Sequence, residues 1–201
     1  MKMLWTFFLI CLFFGLLFSC SKDNQNESEN PNQINQKIAV VYFSATKTTE
    51  NIAIQIADIT KGRLMQILPA IPYSADDLNY TNDDCRANVE QNDENARPEI
   101  ANNIEINDCS IIFIGYPIWW GKLPKIIYTF FDTYDLADKT IIPFCTSGGS
   151  AISTSVNEIK ELEPFAFVKE GKRFSSSSSQ SEIKNWIAQL NVKINEKVGM
   201  E

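Results

Sequence analysis

Three short stretches of this chain are apolar almost without a break: "KIAVVYF" at 37–43, "SIIFIGY" at 110–116 and "TIIPFCT" at 140–146. A strand with one wet face alternates apolar and polar residues, so continuous runs of this kind mark strands covered on both faces. Between and after them the apolar period changes to that of a helix. Ile52, Ile56 and Ile59 share one face over 48–60, and Ile152, Val156, Ile159 and Leu162 share one over 151–162. Leu123-Pro124 places a proline at a helix start, where its missing N–H costs little, and that helix is expected to run to about Tyr134. "RLMQIL" at 63–68 and Phe165–Val168 read as two further strands. Ser179-Gln180-Ser181-Glu182 reads as a capping box that opens a last helix, with Ile183, Trp186, Ile187 and Leu190 inward.

Strands alternating with helices require right-handed crossovers, and hence a parallel sheet with helices on both faces. The expectation is an α/β fold in three layers, α/β/α, around a five-stranded parallel sheet. Pro143 lies inside an inner strand, where it removes a ladder donor, so a local defect is expected there. Residues 69–104 are long and polar, with only a weak helical signal over 83–91, and the serine run Ser175–Ser179 reads as a surface loop.

The first 36 residues differ from the rest. Residues 1–19 carry Lys2 and then an apolar stretch from Met3 to Phe18, short for a membrane span and of signal-peptide character. Leu17-Phe18-Ser19-Cys20 resembles a bacterial lipobox, with Cys20 as the lipid-bearing residue. An uncleaved anchor and ordinary secretion are the alternatives. Residues 20–36 are rich in Asn and Gln and hold no aromatic residue, too polar to bury a core, and read as a tether. The folded domain is then 37–201, and the protein is expected to be exported and membrane-anchored on the periplasmic or cell-surface side.

Composition excludes several classes. The chain contains no histidine, so His-ligated metals, Ser-His-Asp triads and Cys-His pairs are ruled out. The formal net charge is −7, and −8 once residues 1–19 and their single lysine are removed. Such a charge argues against a nucleic-acid partner, which needs a basic footprint.

In an open parallel sheet, ligands lie beyond the carboxyl ends of the strands. Three loops leave such ends with unusual composition. The first is Ser44-Ala45-Thr46-Lys47-Thr48-Thr49, four hydroxyls and a lysine where a strand meets a helix. A helix N-terminus offers unpaired N–H groups and a positive dipole end, which suit a phosphate. One N-cap would need one hydroxyl, so four point to an anion site, though this is not a Walker loop. The second is Pro117-Ile118-Trp119-Trp120-Gly121. Two adjacent tryptophans cannot both enter one core from a regular element, so at least one is expected to face a cleft as a stacking surface. The third is Thr146-Ser147-Gly148-Gly149-Ser150, whose paired glycines let backbone approach a ligand closely, although Gly-Gly is also an ordinary turn signal. A phosphate site, an indole and a glycine wall at one sheet edge imply a flat, singly phosphorylated heterocycle. FMN fits better than a dinucleotide, because no GxGxxG fingerprint is present.

With these loops in this order, residues 37–190 resemble the flavodoxin-like FMN proteins. Ser44–Thr49 is similar to the family's phosphate loop, Thr/Ser-x-Thr-Gly-x-Thr, with Lys47 where the family usually has glycine. "YPIWWGKLP" resembles the loop over one flavin face, and "CTSGGS" the loop at the pyrimidine end, without the tyrosine that many members stack on the flavin. Either one flavin face is then open, or another residue covers it, with Tyr80 and Tyr73 as the candidates. The resemblance implies strand order 2-1-3-4-5. Cys109 and Cys145 would then lie near opposite ends of neighbouring strands, about 20 Å apart at ~3.3 Å per residue. Bridging requires less than ~7 Å, so no disulfide between them is expected.

Three functions remain open. The first is an FMN electron carrier held at a membrane by lipid and docking to a basic redox partner. The second is an FMN-dependent reductase taking electrons from NAD(P)H to quinone-like acceptors. The third is a non-redox module that has lost flavin. No acid–base or nucleophilic constellation appears, so no catalytic residue is assigned.

Overall fold

The structure, a computed structural model, describes residues 37–190. The signal segment, the tether and Cys20 lie outside the described residues.

The first strand, β1 (Ile38–Tyr42), is buried along its whole length. It leads into α1 (Thr48–Thr60) and then β2 (Arg63–Gln66). A long excursion carries α2 (Arg86–Asn92) before the chain returns as β3 (Ile111–Pro117). The remainder is α3 (Lys125–Thr133), β4 (Thr140–Thr146), α4 (Ser153–Leu162), β5 (Phe167–Val168), β6 (Lys172–Phe174) and α5 (Gln180–Gln189). Every strand pairing is parallel, in the order β2-β1-β3-β4-β5. Pro124 caps α3 from an extended backbone, and the Ser179 hydroxyl accepts the Glu182 N–H at the start of α5.

Alternate residues of β1 explain the layers. Ala39, Val41 and Phe43 face one core with Ile126, Ile127 and Phe130 of α3 and Ile159 of α4. Ile38, Val40 and Tyr42 face the other with Ile52 and Ile56 of α1 and Ile183 and Trp186 of α5. The 3.6-residue period marks the apolar stripes of α1, α4 and α5, and Leu123-Pro124 marks the start of α3.

β6, absent from the five-strand expectation, adds a sixth strand and shows what Pro143 does. β5 pairs with Thr140 and Ile141, and β6 pairs with Phe144 to Thr146, both on the side of β4 away from β3. The two are halves of one edge strand. The Lys169 N–H donates to the Ile141 carbonyl at 2.9 Å, so Ile141 and, two residues on, Pro143 point their backbone groups toward that edge. Pro143 has no N–H to offer, and the ladder stops opposite it. The chain swings through Gly171 at φ 71, where a Cβ would come within 2.5 Å of the Pro143 carbonyl oxygen. The predicted defect falls on the partner strand rather than on β4.

The β3–β4 register pairs Ile111 with Thr140 and Tyr116 with Cys145, which puts Cys109 and Cys145 near opposite ends of the sheet. Cys85, Cys109 and Cys145 are free thiols.

Candidate functional site

At the carboxyl end of β1 the chain turns through Lys47, which adopts the left-handed conformation at φ 65 directly before α1. A lysine here supplies the backbone shape that glycine would give more cheaply. The turn leaves α1 with no side-chain cap. Among the described residues, no acceptor takes the backbone N–H of any residue from Ala45 to Glu50. Successive free amides in left- and right-handed turns make a concavity that binds anions, and the α1 dipole adds to it.

The hydroxyls divide by role. Thr49 is buried, and its Oγ1 lies 2.8 Å from Oγ1 of Thr146, which ties the start of α1 to the end of β4. Thr46 is exposed and Thr48 half-buried, with their hydroxyls 3.5 Å apart, and Ser44 is half-buried. Ser44, Thr46 and Thr48 are therefore the hydroxyls open to a ligand. Glu50, in the first turn of α1, would oppose an anion. Its carboxylate accepts from the Tyr42 hydroxyl at 3.3 Å. Burial, reinforced by that carboxylate, pushes the Tyr42 phenol up to about 12.

A cavity of about 390 Å³ opens beside this turn. Ser44, Ala45, Thr46 and Thr49 form one wall, Pro117, Ile118, Trp119 and Trp120 another, and Leu78, Tyr80 and Ala87 a third. No charged side chain lines it, and its volume falls in the range of roughly 300–1,000 Å³ usual for small-molecule sites.

The two tryptophans behave differently, as their adjacency requires. Trp119 is half-buried, edge-on to Phe43 (5.6 Å between centroids) and to Tyr73 (5.3 Å). Trp120 is 49% exposed and sits at φ 49, followed by Gly121 at φ 79. Trp119 and Lys122 exchange backbone hydrogen bonds of 3.2 and 2.9 Å across this pair, so the loop is a two-residue hairpin of type I′.

The segment between β2 and β3 supplies the wall that sequence reasoning caught only in part. Tyr80 reaches the cavity rim, 74% exposed. Tyr73 instead lies inside the aromatic cluster, with its hydroxyl donating to Glu90 and the Arg86 guanidinium 4.0 Å from its ring centroid. Burial, then the Glu90 hydrogen bond, raises the Tyr73 phenol far above its ordinary range. Leu78 and Ala87 carried no signal of their own, since a lone Leu or Ala in a polar stretch has none.

Of the expected site residues, Ser44, Ala45, Thr46, Thr49, Pro117, Ile118, Trp119 and Trp120 meet around the cavity. Lys47, Thr48 and Gly121 lie in the same two turns without lining it. Thr146 and the loop Ser147–Ser150 do not line it either; Thr146, bonded to Thr49 and Ile118, joins that loop to both walls. Ile118 N–H donates to the Thr146 carbonyl at 2.9 Å, and Ser147 N–H to the Phe174 carbonyl at 3.2 Å. Ser147 Oγ donates to the Ser150 carbonyl, and Arg173 Nη1 to the Ser147 carbonyl. A Cβ on Gly148 or Gly149 would meet nothing. Protein packing makes no demand for glycine there, and the backbone lies open.

The flavodoxin family model matches residues 37–190. A crystal structure of a protein assigned as a flavoprotein from Bacteroides eggerthii DSM 20697 is 40% identical over 79% of this chain and 100% of its own, with a TM-score of 0.73. A second, from Bacteroides uniformis ATCC 8492, is 37% identical over 76% of this chain and 98% of its own, also at 0.73. A flavoprotein from Lactobacillus acidophilus NCFM, crystallised in complex with FMN, is 25% identical over 76% of this chain and 99% of its own, with a TM-score of 0.57. No curated protein matches the chain.

Proposed function

This chain belongs to the flavodoxin family, and from that premise we propose that it is an FMN-binding redox protein that carries electrons at a membrane. The observation that carries the reading is the run of free amides from Ala45 to Glu50 beside an uncharged, aromatic-walled cavity. The site fits the cofactor at both of its chemical ends. The amides of the α1 turn, with the hydroxyls of Ser44, Thr46 and Thr48, would hold the phosphate. Trp119 and Trp120 would hold the flat ring system, with Tyr80 at the rim and the open backbone of Ser147–Ser150 beside it. FMN, when bound, supplies the electron-transfer chemistry, and the protein supplies binding, environment and access. Lys47 is exposed beside this turn and offsets anionic charge there.

Cys20 would carry the lipid, and residues 20–36 would tether the domain to the membrane face outside the cytoplasm. The acidic balance of the chain favours a redox partner with a basic face, through electrostatic steering. Purified full-length protein should show flavin absorption in the visible and release FMN on denaturation. A colourless protein that fails to take up added FMN would sink the reading and favour a non-redox module.

A second reading draws on the open side of the site at Ser147–Ser150 and the exposed rim at Tyr80. There the protein would itself oxidise NAD(P)H and reduce a quinone-like acceptor. Steady-state NAD(P)H consumption with a quinone and no partner protein separates the two, since a carrier shows turnover near zero.

A further inference from the structure

The hairpin bearing Trp120 is poorly supported from within. It closes with only two backbone hydrogen bonds, and one of its two central residues is a bulky side chain held in the left-handed region at φ 49. Such conformations persist only where the surroundings over-determine them.

The surroundings here centre on one side chain. Gln91 lies at the end of α2, half-buried against the hairpin. Its Nε2 donates to the Trp119 carbonyl at 3.2 Å and to the Leu123 carbonyl at 3.2 Å. Its Oε1 accepts the Lys125 N–H, again at 3.2 Å. One amide thus satisfies both sides of the hairpin base and the first N–H of α3. An amide is the one side-chain group of this size that offers two donors and an acceptor together. On its far side Leu123 is held by α4, whose Glu158 carboxylate accepts the Leu123 N–H at 3.1 Å.

α2 is itself anchored to the other walls. Arg86 donates to Glu90 and to the Ile71 carbonyl, and Glu90 accepts from Tyr73. Asn88 Nδ2 donates to the carbonyls of Asn82 and Tyr80.

We propose that Gln91 is the positioning residue of the site: it locks the Trp119–Leu123 hairpin to α2, so that the tryptophan wall stands in place before the cofactor arrives. The proposal rests on the FMN reading for its functional meaning. Preorganising a binding wall removes an ordering cost from binding, so loosening it weakens affinity without deleting a contact.

The test uses full-length protein with Gln91→Ala and Gln91→Glu. The second keeps the size and the acceptor for the Lys125 N–H, but sets a carboxylate against two carbonyl oxygens. Amide exchange is followed in the cofactor-free protein, and FMN titration and visible circular dichroism in the loaded one. Both variants are expected to exchange faster across 119–123, with Lys125 affected mainly in Gln91→Ala. FMN affinity should fall about tenfold, with an altered flavin dichroism, on the scale of one or two lost hydrogen bonds. Unchanged exchange in both variants would overturn the clamp. Faster exchange with unchanged FMN affinity and dichroism would overturn the positioning role. A wild-type protein that takes up no FMN would strike the cofactor reading instead, and the exchange arm would still decide on the clamp.

Discussion

Replacing Trp120 with glycine perturbs stability and binding together at a single position. The left-handed backbone at φ 49 costs a side-chain-bearing residue about 1–2 kcal/mol, which glycine avoids. Against that gain stand the greater unfolded-state freedom of glycine, about 0.5–1 kcal/mol, and the loss of the edge-on contact with Trp119 at 6.3 Å. Trp120 is 49% exposed, so about half of its surface is buried, and losing roughly 100 Å² of it costs about 2–3 kcal/mol. The losses exceed the gain, and the cofactor-free protein should lose about 2 kcal/mol of stability. FMN binding should weaken by about 1–2 kcal/mol, roughly five- to thirtyfold in Kd, because the exposed indole face is lost. Trp119→Ala should weigh more heavily on stability. It removes a side chain wedged against Phe43 and Tyr73, and about 3 kcal/mol or more of stability should go with it. Urea denaturation of the cofactor-free proteins and fluorescence titration with FMN measure the two effects separately. A folded Trp120→Gly protein that binds FMN within twofold of wild type would refute the assignment of Trp120 to the binding surface.

Gly171→Ala should destabilise by at least about 2 kcal/mol in a denaturant titration, since φ 71 and the Pro143 carbonyl 2.5 Å away both oppose a Cβ. Burial, and then the carboxylates of Asp135 and Asp132, push Glu163 up to about 7. Its proton is held more tightly when folded, so its contribution is full below the ordinary carboxylate range and is lost as pH rises through about 7. Glu163→Gln should therefore stabilise the protein at pH 8 by about 1–2 kcal/mol, after discounting for partial exposure, and by nothing at pH 4, as thermal melts at the two values would report. Cys20→Ser should shift the protein from membrane to soluble fractions, and unchanged fractionation would reject the lipid anchor.

The parts of the fold that sequence reading reached are those where a long stretch carries one consistent period. β1, β3 and β4 announce themselves by apolar runs that water-facing strands do not have, and α1 by isoleucines on one face. β6 announces nothing, because "KRF" holds one apolar residue and owes its pairing to the far side of Pro143. The two main walls of the site were legible for a related reason: hydroxyls at a helix start and paired indoles are costly anywhere else. The third wall was not, since Leu78 and Ala87 acquire their place only when α2 packs against the tryptophan hairpin. Lys47 shows a different limit. It stands where the family usually has glycine, yet the backbone takes the left-handed turn all the same, and a residue type alone does not report φ.

The broken edge strand also bears on how molecules of this protein meet each other. An intact edge presents a row of unpaired backbone groups on which a second chain can build a cross-strand stack. Here that side of the sheet carries Phe165 and Phe167, 78% and 61% exposed, which would make such stacking adhesive. The two pieces of edge are only two and three residues long, separated by a glycine bend, with Lys169 and Lys172 at the break. Neither piece is long enough to template a neighbour. By interrupting the ladder, Pro143 leaves this apolar border of the sheet without the long flat edge that cross-strand stacking requires.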